Sequence, residues 1–112
     1  MYLMVLVLNK NECLEEILEK LYSVGVAGAT VIDSSGMGKT LCENVPMFGG
    51  FRSLFNECRP SNKTIFSVIK DQNTIRKATD AIEEVIGNLD TAGTGILFTF
   101  PLHQVKGFAS YV

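Results

Sequence analysis

Hydrophobic and polar positions follow two alternating patterns along the chain. Tyr2 to Leu8 (YLMVLVL) is an unbroken apolar run of strand length, as expected of a strand covered on both faces. Leu14, Ile17, Leu18 and Leu21 then recur at i, i+3, i+4 and i+7, with Glu12, Glu15, Glu16 and Glu19 on the other face. This spacing predicts an amphipathic helix ending near Gly25. Asn9 or Asn11 is its expected cap, and with Asn9 as cap Glu12 falls at the capping-box position. The acidic face complements the positive end of the helix dipole and reads as solvated rather than metal-binding. Thr30-Val31-Ile32, within Ala27 to Ser35, is β-branched and predicts a second strand. From Gly36 to Asn62 regular periodicity stops. Thr64 to Lys70 predicts a third strand, and Asp71 or Asn73 a helix cap. Ile75, Ala78, Ile82, Val85, Ile86 and Leu89 recur at helical spacing. A glycine-rich turn, Thr91 to Gly95, leads into a fourth strand, Ile96 to Phe100. Beyond Pro101 the tail from Leu102 to Val112, with Val105, Phe108 and Tyr111, is expected to form a short edge strand.

The order β-α-β, loop, β-α-β is the ferredoxin-like plan of the α+β class, expected to form a single domain over residues 1–112. Right-handed crossovers put both helices on one face of a four-stranded antiparallel sheet. The other face is left bare, yet strands one, three and four are apolar on both sides. A bare apolar face marks an interface, so a closed homo-oligomer burying it is expected.

Charge and cysteine usage narrow the function. With 112 residues, 46% hydrophobic content and a net charge of −2, the chain is long enough for one core and has no basic field for tracking nucleic acid. The N-terminal apolar run is far too short to span a bilayer and has no basic flank, so a cytoplasmic protein that is not membrane-embedded is expected. Cys13, Cys42 and Cys58 are odd in number and widely spaced, which fits neither a disulfide framework nor a metal knuckle. They read as reduced thiols, with Cys42 and Cys58 the alternative of a redox pair. His103 is the only histidine, without a positioned nucleophile or acid, and no catalytic residues are assigned.

The densest candidate chemistry is Thr30 to Thr40, TVIDSSGMGKT. Gly38-Lys39-Thr40 resembles the end of a P-loop, but Asp33 stands where that pattern requires glycine. The residues that follow, Leu41 to Pro46, also lack the apolar spacing of the helix that a P-loop must enter. What remains is a strand running into Gly36-Met37-Gly38-Lys39, where backbone amides can approach an anion closely. A second such segment, Gly93-Thr94-Gly95, precedes strand four. In this fold strands two and four lie at opposite edges of the sheet, so the two segments need not meet within one subunit, whereas across an oligomer interface they can. Joined there, with Lys39 and the hydroxyls of Thr30, Ser34, Ser35, Thr91 and Thr94, they would make a cleft suited to a phosphate or other small anion; the alternative is that these glycines only make turns. In the connection between, Phe48, Phe51 and Phe55 beside Arg52 and Arg59 are expected partner anchors. The alternative there is a hairpin arm or a short helix around Ser53 to Cys58.

Thr30-Val-Ile-Asp-Ser-Ser-Gly36-Met-Gly38-Lys39 and Gly93-Thr-Gly95-Ile-Leu-Phe-Thr-Phe100 make the chain similar to the P-II family of signalling proteins over nearly its whole length. That resemblance implies small cytosolic homotrimers that act in nitrogen regulation. They bind adenine nucleotides in clefts between subunits and signal to a transporter or an enzyme by moving a T-loop, here Leu41 to Asn62. It places Thr30, Gly36, Gly38, Lys39, Gly93 and Gly95 in the nucleotide cleft, with Ser35, Met37 and Thr94 between them in sequence. The chain also departs from the family. Ile96 stands for a lysine of the later turn, and Gln104, Gly107 and Ala109 stand for arginines beyond it. Thr40 stands for the glutamine that helps bind magnesium and 2-oxoglutarate, and the loop has no tyrosine. These changes favour a less charged ligand, ADP, AMP or a cyclic nucleotide, over ATP. Two alternatives share the architecture: a structural or metal-handling trimer resembling the CutA group, and a docking trimer without a small ligand.

Overall fold

The structure is a computed structural model that describes residues 1–44 and 61–111. Four strands form one antiparallel sheet: β1 (Tyr2–Leu8), β2 (Thr30–Ser34), β3 (Asn62–Ile69) and β4 (Gly95–Pro101), in the order β2-β3-β1-β4. The two long helices, α1 (Leu14–Ser23) and α3 (Gln72–Ile86), pack together on one face. The ferredoxin-like architecture is therefore as the periodicity predicts.

Register decides which residues form the core. Met4, Leu6 and Leu8 of β1 pair with Ser67, Ile65 and Lys63 of β3, and this row faces the helices. There Met4, Leu6, Leu8, Ile65 and Ile69 meet Ile17 and Leu21 of α1 and Ile75, Ala78, Ile82 and Ile86 of α3. The alternate residues of the strands face the other way. On that open side Val5 is only 4% exposed, because its cross-strand neighbours Phe66 and Phe98 flank it.

Helix α1 ends in a Schellman motif: Val26 N donates to Leu21 O at 3.0 Å and Gly25 N to Tyr22 O at 3.2 Å. Gly25 supplies the left-handed residue with φ +100, and Val26 and Leu21 both sit in the core. The start of α1 differs from expectation. It is entered through a 3₁₀ turn, Asn11–Cys13, with no side-chain cap. Asn9 and Asn11 do not cap because distant carbonyls hold their amides: Asn9 Nδ2 donates to Gly93 O at 3.1 Å and Asn11 Nδ2 to Ser61 O at 2.6 Å.

At α3 the cap is Asp71 rather than Asn73, its carboxylate accepting from Thr74 N at 2.8 Å. That backbone bond, with a side-chain bond from Thr74, holds the Asp71 carboxyl below its ordinary value of 3.8. A carboxyl whose folded pKa is depressed contributes stability above its unfolded pKa, and that contribution is lost as pH falls through the folded value. Asp71→Asn keeps an acceptor without the charge. It is expected to flatten the acid limb of stability between those two pKa values, read by urea unfolding over a pH series. An unchanged slope would refute the assignment.

Two further segments correct the sequence reading. Residues Met37–Asn44 form a helix, α2, directly after β2. Gly36 O accepts from Thr40 N at 3.2 Å, the bond that opens it. Apolar spacing does not announce α2: its first residue, Met37, is 76% exposed and Leu41 is half-buried. The tail forms no edge strand. Pro101 ends β4, Leu102 N donates to Met1 O at 2.9 Å, and the chain leaves the sheet for a short helix, α4 (Phe108–Tyr111).

Candidate functional site

Both glycine segments lie at the same end of the sheet. Ser34 is in register with Asn62, Lys63 with Leu8, and Leu8 with Gly95, so the end of β2 and the start of β4 occupy opposite corners of that end. Three strand spacings separate the edges, about 14 Å. One phosphate cannot bond to both corners within a subunit, since amide–oxygen bonds span only about 3 Å.

At the β2 corner the strand passes through Ser34, Ser35 and Gly36 into α2, so the first amides of the helix lack intrahelical acceptors. Met37 and Ser35 are exposed there, and Gly36, Gly38 and Lys39 are half-buried, whereas Thr30, also exposed, starts β2 opposite Phe66, four residues before Ser34. The corner is held by short polar side chains. Ser34 Oγ donates to Asn62 Oδ1 at 2.5 Å and lies 2.7 Å from Thr64 Oγ1, and Lys39 Nζ donates to Ser61 Oγ at 3.2 Å. Asp33, which excludes a P-loop by its position, is ion-paired with its register partner Lys63. The second ground for excluding a P-loop, the missing helix, does not hold now that α2 is seen. The exclusion rests on Asp33 alone.

At the β4 corner Gly93 has φ +86 and Gly95 φ +149. A Cβ at Gly95 would lie 2.5 Å from Val7 O, so the turn is wedged against the end of β1. Thr94 is buried at 4% exposure and its amide donates to Thr91 O at 3.3 Å, so in the single subunit it serves the turn rather than an open surface. Ile96 is 58% exposed on the open face. The sequence reading misses Asn9 and Asn11, whose amides brace both corners. Their only signal is two side-chain amides bunched directly after a strand, which is also the signal of a cap.

A depression of about 240 Å³ lies at the other end of the sheet, between Gly25–Ala27, Val68–Lys70 and Phe108. It contains none of the candidate residues, and the register argument locates the site without it. Phe48, Phe51, Arg52, Phe55 and Cys58 lie outside the described residues, as does the side chain of Cys42. Among the described residues no three of His, Cys, Asp and Glu come together, and no helix is long and apolar enough to cross a membrane.

The family model described as "Nitrogen regulatory protein P-II" matches residues 2–108. Comparison with curated proteins gave no match.

Proposed function

Because the chain belongs to the P-II family of nitrogen regulatory proteins and is thus a regulatory signalling protein, we propose that it is a nucleotide-responsive switch without catalytic turnover. It acts as a cytoplasmic homotrimer of single-domain subunits. An adenine nucleotide binds between neighbouring subunits and biases the 36–62 segment, which docks on a transporter or an enzyme. One observation carries this reading. The two anion-friendly corners share one end of the sheet but sit on opposite edges, as the strand register requires. A second subunit placed beside the first would bring them together, and the apolar open face supplies a reason for it to do so.

In that cleft the ligand's phosphates meet amides of Gly36 to Lys39 from one subunit and the turn of Gly93 and Gly95 from the next. Lys39 supplies positive charge, while Lys63 is already engaged by Asp33. Ile96, Gln104, Gly107 and Ala109 add none, so ADP, AMP or a cyclic nucleotide is a better electrostatic match than ATP.

Isothermal titration against ATP, ADP, AMP and cyclic dinucleotides, with and without magnesium, tests the reading. Saturable binding of one is expected. Gly38→Asp places a carboxylate beside the phosphates and is expected to weaken that binding at least about 100-fold. The fold should tolerate it, since aspartate in the first turn of a helix is favourable. Unchanged affinity in this variant would remove the α2 amides from the site, and silence from every nucleotide would remove the ligand.

A further inference from the structure

Three consecutive side chains just beyond β1 each donate to a backbone carbonyl of a different element. Asn9 Nδ2 reaches Gly93 O at 3.1 Å, Lys10 Nζ reaches Ile86 O at 3.2 Å, and Asn11 Nδ2 reaches Ser61 O at 2.6 Å. The backbone that carries them is itself closed into a tight turn. Asn11 N donates to Asn9 O at 3.1 Å and Cys13 N to Lys10 O at 2.9 Å. Side chains on so constrained a turn do not move independently.

The three arms have different destinations. Asn9 holds the turn of Gly93 and Gly95. Asn11 holds Ser61, whose hydroxyl accepts Lys39 Nζ at 3.2 Å, and so reaches the β2 corner. Lys10 ends on α3, placing a cation where the helix dipole is negative. Neither asparagine caps α1, so local structure does not account for them. Asn11 Oδ1 is buried without a hydrogen-bond partner among the described residues. It is the donor to Ser61, not a fully satisfied pocket, that holds this side chain in place.

We propose that Asn9 and Asn11 are positioning residues that set the two glycine corners at a fixed relation and pass a displacement of one to the other, with Lys10 anchoring the turn between them. The consequence for ligand rests on the function proposed above. In a ring of subunits the two corners of one subunit face different clefts, so this bracket couples occupancy of one cleft to the geometry of the next.

Asn9→Asp is isosteric but its carboxylate has no proton to donate to Gly93 O, and Asn11→Ala removes the other arm. In the ¹⁵N-labelled full-length protein, N9D is expected to shift the amide resonances of Thr94 and Gly95 and also those of Lys39, Ser61 and Asn62. N11A is expected to reach Thr94 and Gly95 in turn. Shifts confined to each variant's own corner overturn the coupling. With ADP as the probe, both variants are expected to bind about tenfold more weakly. Lys10→Met removes the anchor but neither arm, and is expected to lower the unfolding midpoint while weakening ADP binding less than N9D does. Equal affinity loss in K10M and N9D at equal stability loss reduces the bracket to general stabilisation and overturns the proposal. If the wild-type protein does not bind ADP, the nucleotide reading fails, and the resonance shifts alone decide the bracket.

Discussion

Replacing Gly95 by alanine is expected to remove about 3–5 kcal/mol of stability, a large share of what a domain of this size has to lose. Two independent costs add. A φ of +149 is a backbone conformation that L side chains rarely adopt, and the new methyl would stand 2.5 Å from Val7 O, which is backbone and cannot swing away. Relief requires β4 to part from β1 at Leu8 and Val7, in the first pairs of their ladder. Gly87 provides the control. It also has a positive φ, +87, with ψ −172, but a methyl group there would find nothing within 4 Å, so Gly87→Ala carries only the backbone term, about 1–3 kcal/mol. Urea unfolding of both variants beside the wild type measures the difference. Equal losses would mean that the wedge against β1 does not exist in solution.

That contrast shows where sequence reasoning stops. Thr91 to Gly95 is legible as a turn, since its glycines and small polar residues announce one. Which glycine is indispensable depends on how closely β1 passes, and β1 lies more than 80 residues away in sequence (Asn9 and Gly93 are 84 apart). The strands and the two long helices are legible for the opposite reason. Their burial repeats along the chain, so Leu14, Ile17, Leu18 and Leu21, or Ile75, Ala78 and Ile82, carry the signal locally. Helix α2 carries no such repeat in its sequence and reads as irregular. Its cue, a glycine carbonyl taken up by Thr40, is a bond rather than a pattern.

The candidate site is legible in its parts and not in its support. The two glycine segments stand out by composition, and the element order puts them on opposite edges. That they share one end of the sheet follows from the antiparallel register. Asn9 and Asn11 are misread because an amide directly after a strand looks the same whether it caps the next helix or reaches a carbonyl fifty residues off, as Asn11 does to Ser61. Local propensity favours the cap, and tertiary acceptors win.

Phe98→Asp is expected to convert the proposed trimer of 12.3 kDa chains into monomers, the largest effect anticipated from a change outside the core. Strand register aligns the open face into rows. Phe66, Val5 and Phe98 form one, Val68, Leu3 and Phe100 a second, and Thr64, Val7 and Ile96 a third, with Ile32 beside Thr64. Phe98 and Phe100 are 44% and 45% exposed in the single subunit, too much for aromatic residues with no partner over them. A closed ring would bury three copies of the new carboxylate, at a cost of several kcal/mol each. In the monomer that carboxylate could remain hydrated at the edge strand, so circular dichroism should change little. Thr99→Asp separates face from strand. Thr99 is one residue along, pairs with Met4 on the helix side and is exposed there, so the same charge should leave the assembly whole. Sedimentation at micromolar concentration reads all three proteins. A monomeric wild type would sink the trimer and with it the shared cleft, whereas a trimeric F98D would move the interface to another surface and leave the open face unexplained. Loss of assembly in F98D alone is the outcome that ties the apolar face to assembly, and through it to the cleft proposed between Gly36–Lys39 of one subunit and Gly93–Gly95 of the next.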